Sequence, residues 1–374
     1  MKTINLFEAF SGIGSQHLAL KNIGFDVKII GISDWYIDAI IAYSINHLQI
    51  KEIEINKKEV LEYLKNYSLS LDSKTAAKNL NGLSNKKLSI VYQAIKRFGN
   101  LDIRKISGES LIGKDIDLFT YSFPCQDISQ QGKQKGFSKN KKTRSGLLWE
   151  IERILKKINH LDKKSLPKVL MMENVKALLN KNFKKDLNLW IKELEKLGYK
   201  STYPFVVNSL NLGEAQNRER VFMFSFLGEK EIKEFKIKNK HKEKFIKDIF
   251  KKDTFHQEFI SNKNIKIIEK EQKYGIKKAF LEGFSSFNAE NYLYYMNGKA
   301  PTITASGAQS RIKILYKGNI IYLNSLEHLR LQGFDEKFYK KLVKVGITET
   351  KIKFLAGNSI NIKVLEELFK FYLS

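Results

Sequence analysis

The stretch Thr3-Ile-Asn-Leu-Phe-Glu-Ala-Phe-Ser-Gly-Ile-Gly-Ser15 decides the fold class. Residues 3 to 9 read as a strand, Phe10-Ser-Gly-Ile-Gly-Ser15 as a glycine turn, and the amphipathic stretch through Lys21 as a helix. A second apolar run, Val27 to Ile32, ends at Ser33-Asp34-Trp35. Strand, glycine turn, helix, strand opens a doubly wound α/β fold with a mostly parallel sheet. Alone, Gly12 and Gly14 make a common structural turn. Asp34 makes the turn informative, because a carboxylate at the end of the second strand can accept from ribose hydroxyls. Trp35 beside it offers a flat face on which a base stacks. A third glycine at the usual spacing is missing, which disfavours a dinucleotide. A nucleoside-containing cofactor fits better.

The only cysteine of the 374 residues lies in Tyr121-Ser-Phe-Pro-Cys-Gln-Asp-Ile-Ser-Gln-Gln-Gly132. The apolar run Asp117-Leu-Phe-Thr-Tyr-Ser122 leads into it and reads as a buried parallel strand. Pro124 fixes its own φ and keeps Phe123 out of helix, so the thiol sits on a stiff loop at a strand end. Open α/β sheets put their chemistry there. A lone cysteine is more often a small core hydrophobe; the motif around this one argues for a working thiol. Lys168-Val-Leu-Met-Met172 is a later strand ending on Glu173-Asn174-Val175. A carboxyl there either caps the next helix or, partly buried with a raised pKa, donates a proton. With a thiol at another strand end it suggests nucleophile plus acid. Gln216-Asn-Arg-Glu-Arg220 sets Arg218 and Arg220 two residues apart before the strand Val221 to Leu227. In extended chain both face one side and can grip phosphate or a polarised carbonyl. The plainer reading is a surface ion pair with Glu219.

Composition sets the partner class. Lys plus Arg is 66 against 40 Asp plus Glu, a net charge of +26, with a pI near 9.7. Such an excess points to a polyanion, most plausibly nucleic acid, although a general lysine bias accounts for part of it. One cysteine excludes an internal disulfide and any multi-thiolate zinc site, and suits a reducing compartment. The first residues are unlike a signal peptide and no apolar run reaches membrane-spanning length, so a cytoplasmic protein with no membrane partner is expected. Residues 51 to 114 are polar and lysine-rich and read as an insertion between two strands. Residues 228 to 281 carry 16 lysines against 9 acidic residues, at the point where the α/β pattern stops. Strand-like pieces follow at Asn291 to Met296 and Arg311 to Tyr316. The expected division is 1–227 for the large domain, 228–330 for a smaller second domain, and 331–374 for a segment returning to the first.

Taken together, these motifs resemble those of the cytosine-C5 DNA methyltransferase family. The order is the family's: Phe10-Ser-Gly-Ile-Gly, Asp34-Trp35, Pro124-Cys125-Gln126, Glu173-Asn174-Val175, Gln216-Asn-Arg-Glu-Arg220, Leu329-Arg-Leu-Gln-Gly-Phe334 and Ala356-Gly-Asn-Ser-Ile360. The resemblance implies the class I S-adenosylmethionine-dependent methyltransferase fold, with S-adenosylmethionine as cofactor and a small target-recognition domain. It implies that Phe10, Gly12 and Ile13 line the cofactor site, that Asp34 binds the ribose and that Trp35 packs on the adenine. Asp102 and Ile103 would contact the adenine edge, Phe123, Pro124 and Leu148 would line the pocket, and Asn358 and Ser359 would lie near the methionine part. Many relatives carry Glu where this chain has Asp34, which keeps the charge on a shorter arm.

The resemblance also implies a mechanism. Cys125 thiolate adds to C6 of cytosine and makes C5 enamine-like. Glu173 binds the N3 and amino edge and supplies the N3 proton, and Arg220, with Arg218, holds the O2 side and nearby phosphate. No metal is required. The base must be flipped out of double-stranded DNA, at roughly a few kcal/mol. Gln126, Gln131 and Lys133, in and around the basic loop Gln130 to Gly136, are candidate DNA contacts, with Gln126 either filling the vacated space or bonding within its loop. Thr143-Arg-Ser-Gly-Leu-Leu-Trp-Glu-Ile-Glu-Arg153, Phe287-Asn-Ala-Glu-Asn-Tyr292 and Pro301-Thr-Ile-Thr-Ala-Ser-Gly-Ala-Gln-Ser-Arg-Ile-Lys313 look like the CG-specific methyltransferases of mollicutes. Ser285 to Asn291 and Ser306 to Arg311 are then the candidate base readers, with Ser306 and Arg311 named among the DNA contacts. A monomer is expected, and a restriction endonuclease acting separately is compatible with it. Two alternatives stay open: a tRNA cytosine-C5 methyltransferase, whose group carries Pro-Pro-Cys where this chain has Phe-Pro-Cys, and an inactive DNA-binding relative.

Overall fold

The computed structural model describes residues 2–128, 136–139, 143–229, 231–237, 241–252, 254–256 and 265–373. They form two compact units. The first comprises residues through Val207 with Arg220–Phe235 and Leu373; the second comprises Asn208–Glu219 and Lys236–Tyr372.

Among the described residues the first unit is built on strands β1 (Thr3–Ala9), β2 (Asp26–Ser33), β3 (Leu118–Tyr121), β4 (Val169–Val175), β5 (Tyr199–Ser201), β6 (Phe205–Asn208) and β7 (Glu219–Leu227). Their order is β2-β1-β3-β4-β7-β5, with β6 also on β7. The pairs β1/β2, β1/β3 and β3/β4 are parallel, and β7 runs antiparallel to β4. The chain therefore steps outward from β1 to β2 and then back across β1 to β3. Ligands of open α/β sheets bind at the carboxyl ends beside such a reversal. The glycine turn follows β1, Asp34 follows β2, Cys125 follows β3, and Glu173 lies in the last turn of pleat of β4. All four motifs read from the sequence lie at or near these ends.

The pleat sends alternate residues to opposite layers. Phe7, Ala9, Phe119 and Tyr121 join an apolar core with Leu148, Ile151, Leu155, Leu187, Trp190 and Leu194, from helices Leu148–Leu161 and Lys184–Lys196. Trp190 is fully buried and its indole N–H donates to the Tyr121 hydroxyl at 3.1 Å. Glu8 points the other way and meets Tyr43 on helix Ile37–His47. Helix Asn85–Phe98 packs on that helix with Leu88, Val91, Ala94 and Ile95 buried. Ser84 caps its start by accepting from Lys87 N–H, and Gly99 at φ 74 ends it. The 51–114 segment is thus part of the layer covering the sheet. Its lysines are spread over helices Lys57–Leu64 and Asn85–Phe98 and the segments around them, with Lys96 on the exposed face of the second helix, which is why composition alone made it look like an appendage.

The second unit holds a sheet ordered β12-β11-β10-β9-β8, from β8 (Lys266–Glu269), β9 (Lys278–Glu282), β10 (Tyr292–Tyr295), β11 (Lys313–Tyr316) and β12 (Asn319–Tyr322). Lys317 and Gly318, both at positive φ, make the β11/β12 hairpin turn. Strands β10 and β11 are parallel, so residues 296–312 must cross over between them, and the Pro301 to Ser310 phrase lies in that crossover. The contacts do not divide the chain at 227 and 330. Residues 331–372 belong to the second unit, because Gln332 donates to the Ala356 carbonyl, Asn361 to the Leu331 carbonyl, and Arg218 to carbonyls of the same helical segment. Among the described residues no helix is long and apolar enough to cross a membrane.

Candidate active site

Cys125 is partly exposed on a loop whose neighbours are tied down one by one. The Phe123 carbonyl accepts from Asn174 Nδ2 at 3.0 Å, a buried bond that joins the end of β4 to the β3 loop. The Pro124 carbonyl accepts from Ser145 Oγ at 2.6 Å. Asp127 receives the main-chain N–H groups of Arg144 and Ser145 on one carboxylate oxygen, at 2.9 and 3.3 Å. Its own N–H donates to Ser145 Oγ, and its carbonyl accepts from Gly136. Gln126 is exposed, and its side-chain oxygen accepts from Arg144, which also donates to the Ser73 carbonyl. In this structure the Gln126 side chain thus bonds to Arg144, on the segment that follows its loop. Gln131 and Lys133 lie outside the described residues.

Glu173 is 7% exposed. Because β7 runs antiparallel to β4, its first residues lie beside the last of β4, with Arg220 opposite Val175. Arg220 Nε stands 3.3 Å from the Glu173 carboxylate. Arg218 does not share that duty. It is 3% exposed, and its terminal nitrogens donate to the carbonyls of Ile303, Gly357 and Ser359 at 2.7 to 2.9 Å. Strand alternation alone suggested a common face. The crowded carbonyls of the second unit use Arg218 as a structural clamp instead.

The glycine turn is closed by its own bonds. Phe10, Gly12 and Gly14 all have positive φ. Ser11 N–H donates to the Ser33 carbonyl and Gly14 N–H to the Ser11 carbonyl. Asp34 accepts from Gly12 N–H at 3.0 Å on one oxygen and from Tyr36 N–H at 2.8 Å on the other. Burial pushes its carboxyl up to about 6, against those main-chain bonds. One ring face of Trp35 is covered by the Arg104 guanidinium, 4.9 Å from the ring centre. Asp102 is bound by that same guanidinium through three contacts of 2.6 to 3.1 Å. Burial acts to raise its pKa, but the Arg104 hydrogen bonds and charge hold it below the usual range. Ile13, Ile103, Phe123 and Leu148 are buried, the last three within the apolar core. Phe10 packs against it, and Pro124 is partly exposed. Asn358 is exposed at the end of helix Glu349–Asn358, and Ser359 Oγ donates to the Leu355 carbonyl, both in the second unit.

In the second unit, Arg311 pairs with Glu290, whose other oxygen is 3.6 Å from Lys313. That link brings the Ser285–Asn291 and Ser306–Arg311 segments together, with Ser306 exposed. Sequence reasoning missed Asn174, Ser145 and Arg144 as the residues holding the thiol loop. Their signal was membership of the quoted phrases Glu173-Asn174-Val175 and Thr143 to Arg153, in which no role had been given to them.

A buried acid lies one layer beneath the glycine turn. Glu8 is fully buried, its carboxyl is pushed up to about 8 by burial, and it accepts from the Tyr43 hydroxyl. The folded form takes up this proton more readily than the unfolded chain, whose value is near 4.5. Stability from this group is therefore full below about 4.5 and is lost as pH rises toward 8, by roughly 1.4 kcal/mol per pH unit at most. Glu8→Gln should flatten that slope. Urea unfolding of both proteins at pH 6 and pH 8 measures it, and an equal slope in the two would remove Glu8 as its source.

A family model for C-5 cytosine-specific DNA methylases matches residues 58–373. The chain belongs to that family. It is a DNA cytosine-5-methyltransferase. The orphan methyltransferase M.SssI of Spiroplasma monobiae is 42% identical over 98% of this chain and 96% of its own. The type II methyltransferase M2.ScrFI of Lactococcus lactis subsp. cremoris is 34% identical over 98% of each. Among solved structures, S. pombe Dnmt2 methyltransferase superposes with a TM-score of 0.62 at 17% identity, covering 99% of this chain and 98% of that one. The Entamoeba histolytica methyltransferase EhMeth gives 0.59 at 16%, covering 99% and 98%. At such identities they speak for the fold, an α/β methyltransferase domain with a second sheet. This methyltransferase keeps Cys125 and Glu173 at the ends of adjacent strands of that fold.

Proposed function

We propose that this enzyme methylates C5 of a cytosine flipped out of a short duplex DNA sequence containing CG, through a covalent bond between Cys125 and C6, with S-adenosylmethionine as donor. The observation that carries the reading is the coupling of thiol loop and acid: Asn174 Nδ2 holds the Phe123 carbonyl while its neighbour Glu173 is paired with Arg220. Nucleophile and acid are thereby referred to one rigid edge of the sheet.

The residues at the glycine turn suit a nucleoside with a charged arm. Asp34 is oriented by two main-chain N–H groups, one on each carboxylate oxygen, and can accept from a ribose hydroxyl. Trp35 and Asp102 lie close by through Arg104, and that guanidinium must share or leave the Trp35 face if an adenine stacks there. When bound, S-adenosylmethionine supplies an electrophilic methyl group. The chain's own residues do the rest. Cys125 adds to C6 as thiolate, which moves electron density to C5. A free thiol has a pKa of about 8.5, so the site must favour the thiolate or take its proton during attack. Glu173 protonates N3 and offsets the charge that addition places on the ring, while Arg220 holds the carboxyl in place. Once C5 carries the methyl group, loss of the C5 proton, departure of the thiolate and return of the N3 proton to Glu173 restore the aromatic ring.

Duplex DNA as partner is supported by the net charge of +26 and by the family. A monomer suffices, with one site per flipped base. The CG reading rests on the Thr143–Arg153, Phe287–Tyr292 and Pro301–Lys313 phrases, and Arg311 and Glu290 bring the latter two together. The test is bisulfite sequencing of unmethylated plasmid after incubation with protein and S-adenosylmethionine. Protection at CG cytosines alone is expected. Protection at a different sequence overturns the target, and complete conversion overturns the DNA substrate.

A further inference from the structure

Beneath the glycine turn lies a chain of side chains that the reaction itself does not use. His47, on helix Ile37–His47, has its Nε2 at 2.8 Å from the Ile13 carbonyl and its Nδ1 at 2.9 Å from His17 Nδ1. A carbonyl only accepts, so Nε2 carries a proton. In neutral His47 the Nδ1 is then bare and accepts from His17 Nδ1–H. The rings pack edge to face, with centroids 4.6 Å apart for His17 and His47 and 4.8 Å for Tyr43 and His47, the planes inclined by 63° and 60°. Tyr43 is fixed in turn by its bond to Glu8 on β1. A Cβ at Gly14 would fall 2.4 Å from His47 Nε2 and 2.9 Å from the Tyr43 ring. The second glycine of the motif is therefore required by the ring beneath it as well as by its φ of 78.

We propose that His47 is a positioning residue for the methyl-donor loop, its Nε2–H fixing the Ile13 carbonyl while His17, Tyr43 and Glu8 hold its ring in place. The inference rests on the reading that the glycine turn binds the donor. Ser11, Gly12 and Gly14 already spend their N–H groups on Ser33, Asp34 and Ser11. The His47 bond supplies an anchor to Ile13 between those glycines, in a turn with three residues at positive φ that has little stiffness of its own.

The groups facing this chain are Glu8 on β1, His17 and Lys21 on helix Ser15–Asn22, Tyr43 and His47 on helix Ile37–His47, and Arg97 on helix Asn85–Phe98. Burial, then the neighbouring His47 and Lys21, holds His17 down to about 3, so it is neutral at ordinary pH. One added proton on the His17–His47 pair leaves the Nδ1–Nδ1 bond intact, since only one of the two nitrogens must be bare. A second would place N–H against N–H and break it.

Two measurements decide the matter. Calorimetry with S-adenosylhomocysteine should show His47→Leu binding about tenfold more weakly, with His47→Gln, which keeps an N–H donor, recovering most of the loss. For His47→Leu the KM for S-adenosylmethionine should rise with kcat within about twofold of wild type and duplex affinity unchanged. Wild-type affinity in His47→Leu, or equal losses in both variants, would overturn the assignment. Independently of any variant's folding, long-range proton–nitrogen spectra of the histidine-labelled wild type should show His47 protonated at Nε2 and His17 at Nδ1 near pH 7. A bare Nε2 on His47 refutes the inference. Failure of the wild type to bind S-adenosylhomocysteine overturns the donor-site reading itself, and this inference with it.

Discussion

Cys125→Ala is expected to lose methyl transfer by a factor of roughly 10⁴ or more while still binding duplex DNA. The magnitude follows from the chemistry of the base. C5 of cytosine is too weakly nucleophilic to take a methyl group from a sulfonium unaided, and only addition at C6 changes that. The substitution removes the one thiol in the chain. It should not unfold the loop, because the bonds that hold the loop run through the Phe123 and Pro124 carbonyls and through Asp127. A duplex carrying fluorine at C5 of the target cytosine reads the same step directly. Fluorine cannot leave as a proton does, so the wild type should remain covalently attached through SDS electrophoresis and Cys125→Ala should not. Full methylation by the variant would end the assignment of the nucleophile.

Glu173→Gln should lower kcat by about 10²- to 10⁴-fold, the range for a general acid, with the KM for DNA little changed. Glutamine keeps the size and the acceptor oxygen that faces Arg220 Nε at 3.3 Å, so the strand edge is preserved and the proton is lost. Single-turnover rates measured with saturating duplex separate this step from binding. A variant within about threefold of wild type would mean that N3 is protonated from elsewhere. Arg218→Ala gives the contrast. Its guanidinium holds three carbonyls of the second unit, so thermal stability should fall, by about 3 kcal/mol or more for so buried a group. An unchanged melting temperature with lost activity would return Arg218 to the chemistry.

Strand ends and their motifs were legible because each rests on local chemistry. An apolar run closed by glycines, a proline before a cysteine, or a carboxylate after a strand keeps its meaning wherever the chain travels. The seven-residue strand Val169–Val175 shows the limit of that reading. It runs on through Glu173, because pairing with β7 outweighs the polar character of Glu173 and Asn174. The 51–114 segment shows it more strongly, since its buried face is defined only by the helix it covers.

The sequence by itself determined the doubly wound fold and the family, and it picked out the candidate thiol Cys125 and the candidate carboxyl Glu173, all carried by short patterns whose physics is local. Tertiary structure alone decided which partner each polar group takes. Arg218 and Arg220 differ by two positions, yet one clamps carbonyls of residues 303 to 359 and the other pairs with Glu173. His47 reaches Ile13 across 34 positions, and Asn174 reaches Phe123 across 51. Such bonds depend on strand register and helix placement fixed by burial across the whole unit, and no window of sequence contains them.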